Sequence, residues 1–230
     1  MDKQKITELA QKHYGLFRSL FALHNHLPFV NRWQGNMKKQ IGLAWLRGCR
    51  VIGGSGNTLV VDDFARLKNC RFYFEGTGNT VIIGKRCYCD HADFWIEDNG
   101  NTITLGEHTY LTGEIQLAAM EGTSITVGKD CLFSAPVKIR TGDSHSLLKK
   151  STGERINPSK SITIGNHVWV GTGVTILKGV QVADGCVVGA CSLLTKTYAQ
   201  PNCALAGVPA REVKQDVDWA PERIPVQEAQ

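Results

Sequence analysis

The sequence predicts an all-β solenoid of stacked parallel coils, with a helical cap at its N-terminal end and a loop protruding from one coil. Three observations support this fold class. Turns of the G-N-T type recur every 22 residues, an aliphatic period of six follows them, and helical spacing is confined to the first residues of the chain. Because one coil alone cannot bury its apolar side chains, such repeats are stable only as a stack.

The first segment, residues 1–50, is predicted to be a basic cap on the open end of the stack. Apolar residues recur with helical spacing over about residues 4–26, and Pro28 ends the pattern. This segment carries a net charge of +7, whereas the whole chain of 230 residues carries +5. The alternative interpretation is a basic amphipathic segment that lies on anionic lipid or polymer.

Composition excludes several other classes of protein. The chain is 42% hydrophobic and 20% charged, which is typical of a globular protein and not of a disordered one. It has neither an apolar run long enough to span a membrane nor a secretory leader, so we expect a cytoplasmic protein, with the inner face of the membrane as the second location. Because the charge is concentrated at one end, we expect no nucleic-acid partner. The eight cysteines are expected to be reduced thiols.

The second segment, residues 51–200, is predicted to form the β-helix. Its first four coils share a turn in register, beginning at Gly56, Gly78, Gly100 and Gly122. We expect the asparagines after the first three glycines to stack as a hydrogen-bonded ladder. Downstream, aliphatic residues recur every six positions, at Ile164, Val170, Ile176, Val182, Val188 and Leu194. Small residues four places after such positions are predicted to fill inward slots, including Cys87, Cys131 and Cys186.

The repeat is interrupted at His145, 22 residues after the position of Thr123 in the ladder. The 22-residue period predicts that His145 continues the ladder and that Asp143 stacks over Glu121. The next coil begins 37 residues after the previous one instead of 22, so 15 extra residues form a protruding loop within 143–161. Long loops on a regular scaffold commonly carry function. An ordinary imidazole titrates near 6.5, which makes His145 a candidate general base, oriented by Asp143, Glu121 or a backbone carbonyl.

Five sequence motifs carry a resemblance to a known family, and the resemblance covers residues 56–214. They are G-D-S-H-S (142–146), I-G-N-H-V-W-V-G-T (164–172), I-L-K-G-V (176–180), V-V-G-A-C-S-L-L-T-K (187–196) and A-G-V-P-A-R-E-V-K (206–214). The chain resembles the hexapeptide-repeat acetyltransferases, whose fold is a left-handed parallel β-helix. It is similar to the galactoside and maltose acetyltransferases and, through R-I-N-P (155–158), more closely to the capsule and lipopolysaccharide O-acetyltransferases.

The resemblance implies roles for individual positions. His145 matches the general base that takes the proton of the acceptor hydroxyl. The positions that match contacts to acetyl-CoA, the expected acetyl donor, are Trp169, Thr172, Ala190, Thr195, Lys196, Arg211 and Lys214. The last two lie in the third segment, residues 201–230, which is expected to contact the cofactor. Cys191 departs from the family, which often has glycine there, and a thiol at this position narrows the cofactor groove or fills the corner.

The implied function is acetyl-CoA-dependent O-acetylation of a bacterial surface polysaccharide or its precursor. Family members are trimers with sites between subunits, so we expect a homotrimer, and Lys149, Lys150 and Arg155 in the loop favour an anionic glycan acceptor. Peripheral contact of the basic N-terminal region with the membrane or with glycan-synthesis machinery is a further expectation. Alternatives are N-acetylation of an amino-sugar nucleotide, acetylation of an antibiotic or other xenobiotic, and an inactive scaffold. No metal is expected, although His91, His108 and His145 leave a zinc hydratase as a weaker alternative.

Overall fold

A computed structural model describes residues 11–225, which form a β-solenoid of three faces with a helix at its N-terminal end. The first face is a seven-stranded parallel sheet. Its strands, numbered along the chain, are β2 (Lys38–Ile41), β5 (Thr58–Val61), β8 (Thr80–Ile83), β10 (Thr102–Leu105), β12 (Ser124–Val127), β15 (Ile162–Ile164) and β18 (Gln181–Val182).

Two long strands turn a corner and join the other two faces into one sheet: β9 (Tyr88–Ile96) and β11 (Tyr110–Ala119). Besides their first halves, the second face contains β3 (Trp45–Arg47), β6 (Arg66–Lys68), β13 (Leu132–Ser134), β16 (Trp169–Val170), β19 (Val187–Val188), β21 (Cys203–Gly207) and the antiparallel β22 (Ala210–Gln215). Besides their second halves, the third face contains β1 (Arg32–Gln34), β4 (Arg50–Gly53), β7 (Arg71–Phe74), β14 (Val137–Arg140), β17 (Val174–Ile176) and β20 (Leu193–Leu194).

The predicted repeat register is the register of the first face. Leu59 pairs with Val81, Val81 with Ile103 and Ile103 with Ile125, each one coil of 22 residues further on. Ile125 then pairs with Ile162, which is 37 residues further on. The extra residues therefore leave the stack between these two coils and return to the same ladder.

The core runs along the solenoid axis and is filled by alternate, inward-facing side chains of the strands, such as Leu59 and Val61 of β5. Phe72 and Phe94, both fully buried, stack with ring centroids 4.6 Å apart. Burying such a side chain contributes about 1.5–3 kcal/mol. Cys87, Cys131 and Cys186 are buried in the inward slots, as predicted, and burial raises the pKa of Cys87 and of Cys131 to about 11. The thiols of Cys87 and Cys131 are therefore protonated, and all three side chains fill space in the core.

The asparagine ladder is confirmed, but it ends differently from the prediction. The side-chain oxygens of Asn57, Asn79 and Asn101 each accept from the backbone N–H of the next ladder residue, at 3.0, 2.8 and 3.0 Å. Beyond Thr123 the next hydroxyl is that of Thr141, 2.7 Å away and fully buried. The prediction that His145 continues the ladder is wrong, because the loop leaves the stack directly after Thr141.

Helix α1 (Tyr14–His26) packs on the first coil, in agreement with the predicted cap. The part of the predicted helix within residues 4–10 lies outside the described residues. Asn25 fixes the end of the helix, because its buried side chain donates to the Ala44 carbonyl at 2.8 Å and accepts from the Leu46 N–H at 3.0 Å. The first strand begins at Arg32, inside the segment that the sequence assigns to the cap. No helix among the described residues has the length and apolarity needed to cross a membrane.

Candidate active site

The protruding loop is a short hairpin with a closed base. Lys160 N–H donates to the Thr141 carbonyl at 2.8 Å, so the chain returns to the point where it left. Above this base, Leu148 and Arg155 form an antiparallel bridge. Gly142 begins the excursion, and a side chain there would collide with Met120 and Ser159. The loop is therefore an ordered platform attached to one corner of the solenoid.

Asn157 is the central hydrogen-bonding residue of this platform, and its side chain is buried. Its amide nitrogen donates to Asp143 Oδ2 and to the His145 carbonyl, both at 2.8 Å, and its amide oxygen accepts from the Leu147 N–H at 2.7 Å. These bonds hold the backbone at His145 and Leu147 and the side chain of Asp143. Sequence reasoning missed this role, although Asn157 is the asparagine of the R-I-N-P motif that supports the family resemblance.

Lys178, from the turn after β17, links the loop to the next coil. Its ammonium group lies 2.5 Å from Asp143 Oδ2 and donates to the Asn157 carbonyl at 3.2 Å. Hydrogen bonds from Lys178 and from Asn157 hold the pKa of Asp143 below its ordinary value. Asp143 is therefore an anion that holds the loop against the solenoid.

Neither carboxylate proposed to orient the imidazole of His145 is hydrogen-bonded to it. Asp143 is engaged by Lys178 and Asn157. Glu121 pairs with Arg155 at 2.5 Å and accepts from the Ser159 N–H at 3.0 Å. The imidazole of His145 is exposed, with no hydrogen-bond partner among residues 11–225. Its backbone is held by Asn157, and its ring faces solvent.

Ser144, immediately before His145, is anchored to the third face. Its backbone has a φ of +60°, in the left-handed region, and its hydroxyl donates to Glu97 Oε2 at 3.1 Å while accepting from Arg140 at 3.0 Å. Glu97 also accepts from the indole N–H of Trp95 at 2.7 Å. The histidine thus follows a residue in the left-handed region whose hydroxyl is hydrogen-bonded to the carboxylate that follows β9.

The predicted cofactor residues all lie on the coils that follow the loop. Trp169 stands on β16 with 38% of its surface exposed, and the Thr172 hydroxyl donates to the Ala135 carbonyl at 2.6 Å. The remaining predicted residues are also exposed: Ala190, Thr195, Lys196, Arg211 and Lys214. No hydrogen bond or ion pair within the described part of the chain joins any of these seven residues to His145. The loop that carries His145 leaves the solenoid between β14 and β15, whereas Trp169 stands on β16 of the second face.

Trp219 is a neighbour of this surface that sequence reasoning did not find. Its ring stacks on His167 with centroids 4.5 Å apart and lies 6.1 Å from the ring of Trp169. Its indole N–H donates to the His167 carbonyl at 2.8 Å. The C-terminal segment therefore returns to the second face beside Trp169. Nothing in the repeat indicates this, because Trp219 lies outside the periodic part of the sequence.

The histidines of the zinc alternative are not gathered. His91 pairs with Asp90 at 2.6 Å, and His108 contacts Asp130 and Tyr110 at 2.9 and 3.1 Å. Within residues 11–225 there is no group of three or more histidine, cysteine, aspartate or glutamate side chains placed to hold a metal ion.

The fold and the repeat define the class of protein. Residues 161–196 match the family model described as "Bacterial transferase hexapeptide (six repeats)". The solved structure of the polysialic-acid-specific acetyltransferase NeuO superimposes with a TM-score of 0.74 and 28% identity, covering 86% of this chain and 89% of that one. The predicted left-handed parallel β-helix and the resemblance to hexapeptide-repeat acetyltransferases are therefore confirmed.

Two curated relatives are similar over a shorter stretch. The polysialic acid O-acetyltransferases of Neisseria meningitidis and of Escherichia coli O1:K1 / APEC are each 34% identical over 91 residues, which is 40% of this chain. The matched region spans 42% of the first relative and 29% of the second. This similarity is thus to part of each relative.

Proposed function

We propose that the protein is an acetyl-CoA-dependent O-acetyltransferase that acetylates a sugar hydroxyl of a bacterial surface polysaccharide, or of its precursor. The observation that carries the proposal is the exposed imidazole of His145 on a loop whose backbone is fixed by Asn157, Asp143 and Lys178. The names of the similar proteins support the reaction and the acceptor class, since they are polysialic acid O-acetyltransferases.

In this proposal His145 accepts the proton of the acceptor hydroxyl while that oxygen attacks the thioester carbonyl carbon. The new C–O bond forms, the C–S bond breaks, and the thiolate of coenzyme A takes the proton back from the imidazolium. General-base catalysis of this kind contributes about 10²–10⁴-fold to the rate. A fixed backbone with a free ring suits this task, because the base has to meet a hydroxyl supplied by the acceptor.

The residues proposed to hold the donor fit an anionic, extended nucleotide thioester. Exposed cations lie at Lys196, Arg211 and Lys214, where they suit phosphate groups. Trp169 and Thr172 lie on the neighbouring coil, where an extended arm would pass. We propose that the enzyme is a homotrimer in which His145 of one subunit faces Trp169 of the next, since within one chain the loop leaves the solenoid after β14 of the third face and Trp169 stands on the second face.

The test is acetyl transfer from acetyl-CoA, measured by thiol release, to a panel of polysialic acid, other capsular and lipopolysaccharide glycans, nucleotide amino sugars and chloramphenicol. We expect transfer to a glycan, with turnover of His145→Ala reduced about 10²–10⁴-fold. His108→Ala, at another exposed corner histidine, is the matched control and should keep wild-type turnover. Near-normal turnover of His145→Ala would show that His145 is not the general base. Transfer confined to amino sugars or chloramphenicol would replace the O-acetylation of glycans with the alternative reactions.

The same proposal places the enzyme in the cytoplasm at the inner face of the membrane. Three leucines of α1, Leu16, Leu20 and Leu23, are exposed at helical spacing, and the segment of residues 1–50 that contains the helix carries a net charge of +7. Such a surface suits an anionic bilayer. Cosedimentation of the protein with vesicles containing anionic lipid is the measurement, and failure to bind at low ionic strength would contradict this location.

A further inference from the structure

A cavity of about 290 Å³ lies on the second face, several coils before the proposed active site. It is lined by Trp45 of β3, by Arg66 and Lys68 of β6 and by Tyr88 of the first half of β9, three strands that stack in register. None of these residues belongs to the proposed machinery of acetyl transfer. The cavity therefore combines two aromatic rings, which can pack against an apolar surface of a ligand, with two cations, which can pair with an anionic group.

The two cations of this cavity are exposed, and they are held in different ways. The Arg66 guanidinium lies over the ring of Tyr88, 5.2 Å from its centroid. Lys68 pairs with Asp90 Oδ2 at 3.2 Å, with 45% of its side chain exposed. Arg66 forms no ion pair within residues 11–225, so its planar guanidinium keeps its charge for a ligand.

The aromatic walls suit a sugar ring. Trp45 is supported from behind by His24, whose ring is stacked on it with centroids 5.8 Å apart. An aromatic face packs against the apolar C–H face of a pyranose, while a guanidinium pairs with a carboxylate through two parallel hydrogen bonds. Together these groups fit an anionic sugar unit better than a neutral sugar or a bare anion.

The cavity is aligned with Trp169. The outward-facing residues of the second face are paired coil by coil in one column: Trp45, Arg66, Tyr88, Tyr110, Leu132 and Trp169. Strands in a sheet lie about 4.8 Å apart, so Tyr88 and Trp169 are separated by about 14 Å along the solenoid axis. An extended chain lying along this column reaches both places at once.

We propose that this cavity is a second acceptor-binding site, which holds an anionic sugar unit of a glycan chain at a distance from the unit being acetylated. The inference rests on the proposed glycan acceptor and goes beyond it, because it specifies a long, negatively charged polymer. Binding at two points along one chain raises the effective concentration of the acceptor at the catalytic loop.

The test compares Arg66→Gln/Lys68→Gln with Lys85→Gln/Arg86→Gln, a control pair at an exposed corner outside the cavity. The acceptors are long polysialic acid, a trimer of sialic acid, and long polysialic acid whose carboxylates are methyl-esterified. We expect the KM of the cavity variant for the long polymer to rise about tenfold, the worth of one charged hydrogen bond. Its kcat, and its kinetics with the trimer, should match those of the wild type, and the control pair should leave every value unchanged.

A binding arm separates failure of this site from failure of the proposed reaction. Binding of long polysialic acid is measured calorimetrically without acetyl-CoA, at low and high ionic strength. Loss of affinity in the cavity variant, together with weak binding of the esterified polymer, supports the site even if the wild type transfers acetyl to no glycan. Equal affinity and equal KM of the wild type and the cavity variant would overturn it, whatever the transfer assay shows.

Discussion

At the scale of single residues, Cys191 differs from the other cysteines in its solvent exposure. Seven of the eight cysteines are buried and Cys191 is exposed. Its N–H donates to the carbonyl of Thr172 at 2.8 Å, so it adjoins two residues proposed to contact the donor, Thr172 and Ala190. The departure from the family's usual glycine therefore falls on the proposed cofactor groove.

This position gives a labelling prediction. N-Ethylmaleimide should modify about one thiol per native chain, because the reactive thiolate is withheld from buried cysteines. Mass spectrometry should place the label on Cys191, and saturating acetyl-CoA, which carries no free thiol, should slow its labelling. The Cys191→Ser variant should show no rapid labelling. Equal labelling rates with and without acetyl-CoA would move the donor site away from this corner.

At the scale of structural elements, the loop and the ladder depend on different asparagines. Asn157 holds the backbone around His145, whereas Asn79 holds neighbouring coils together through four hydrogen bonds of its buried amide. We therefore expect Asn157 to affect the turnover of the enzyme and Asn79 to affect the stability of the fold. Two substitutions test this separation.

The Asn157→Ala substitution should lower kcat by up to about 10²-fold, because a displaced general base no longer meets the hydroxyl correctly. The KM for acetyl-CoA and the denaturation midpoint should stay close to wild type, since the proposed donor residues lie on other coils. Steady-state kinetics and urea denaturation measure both quantities. Thr152→Ala, at the exposed tip of the same loop, is the control and should leave kcat intact. An unaltered kcat in Asn157→Ala would show that these bonds do not position His145.

The Asn79→Ala substitution should destabilise the solenoid by about 2–3 kcal/mol, because buried N–H and carbonyl groups of adjacent coils lose their partners. The free energy of unfolding from urea denaturation is the measurement. Asn99→Ala, which removes an exposed asparagine from the equivalent turn of the next coil, should cost under about 1 kcal/mol. If both variants lost the same free energy of unfolding, the buried ladder would contribute no more to stability than an exposed asparagine does.

At the scale of the whole molecule, the periodic part of the fold is readable from sequence and the rest is not. Counting residues predicts that Ile103 lies over Val81 and that Ile162 follows Ile125, since every coil obeys the same inward–outward pattern. The same counting misplaces His145, because it cannot show that the chain leaves the stack after Thr141. Contacts made outside the repeat, such as Trp219 on His167, depend on tertiary packing that carries no period.

The assembly of the site is the remaining question at this scale, and it has a direct test. In one chain His145 projects from the loop and Trp169 from the second face, with no hydrogen bond or ion pair between their side chains among residues 11–225. A cyclic trimer brings a different surface of the neighbouring subunit to each loop. If the site takes its histidine from one subunit and its tryptophan from the next, two inactive variants can complement each other.

Equal amounts of His145→Ala and Trp169→Ala, unfolded together and refolded, should regain about a quarter of wild-type turnover, the fraction of interfaces in a random cyclic mixture that receive both intact residues. Each variant refolded alone should stay inactive, and light scattering should show the mass of three chains. Mixing the variants without unfolding is the control, because intact trimers exchange no subunits. A refolded mixture as inactive as its components would place both residues of each working site within a single chain.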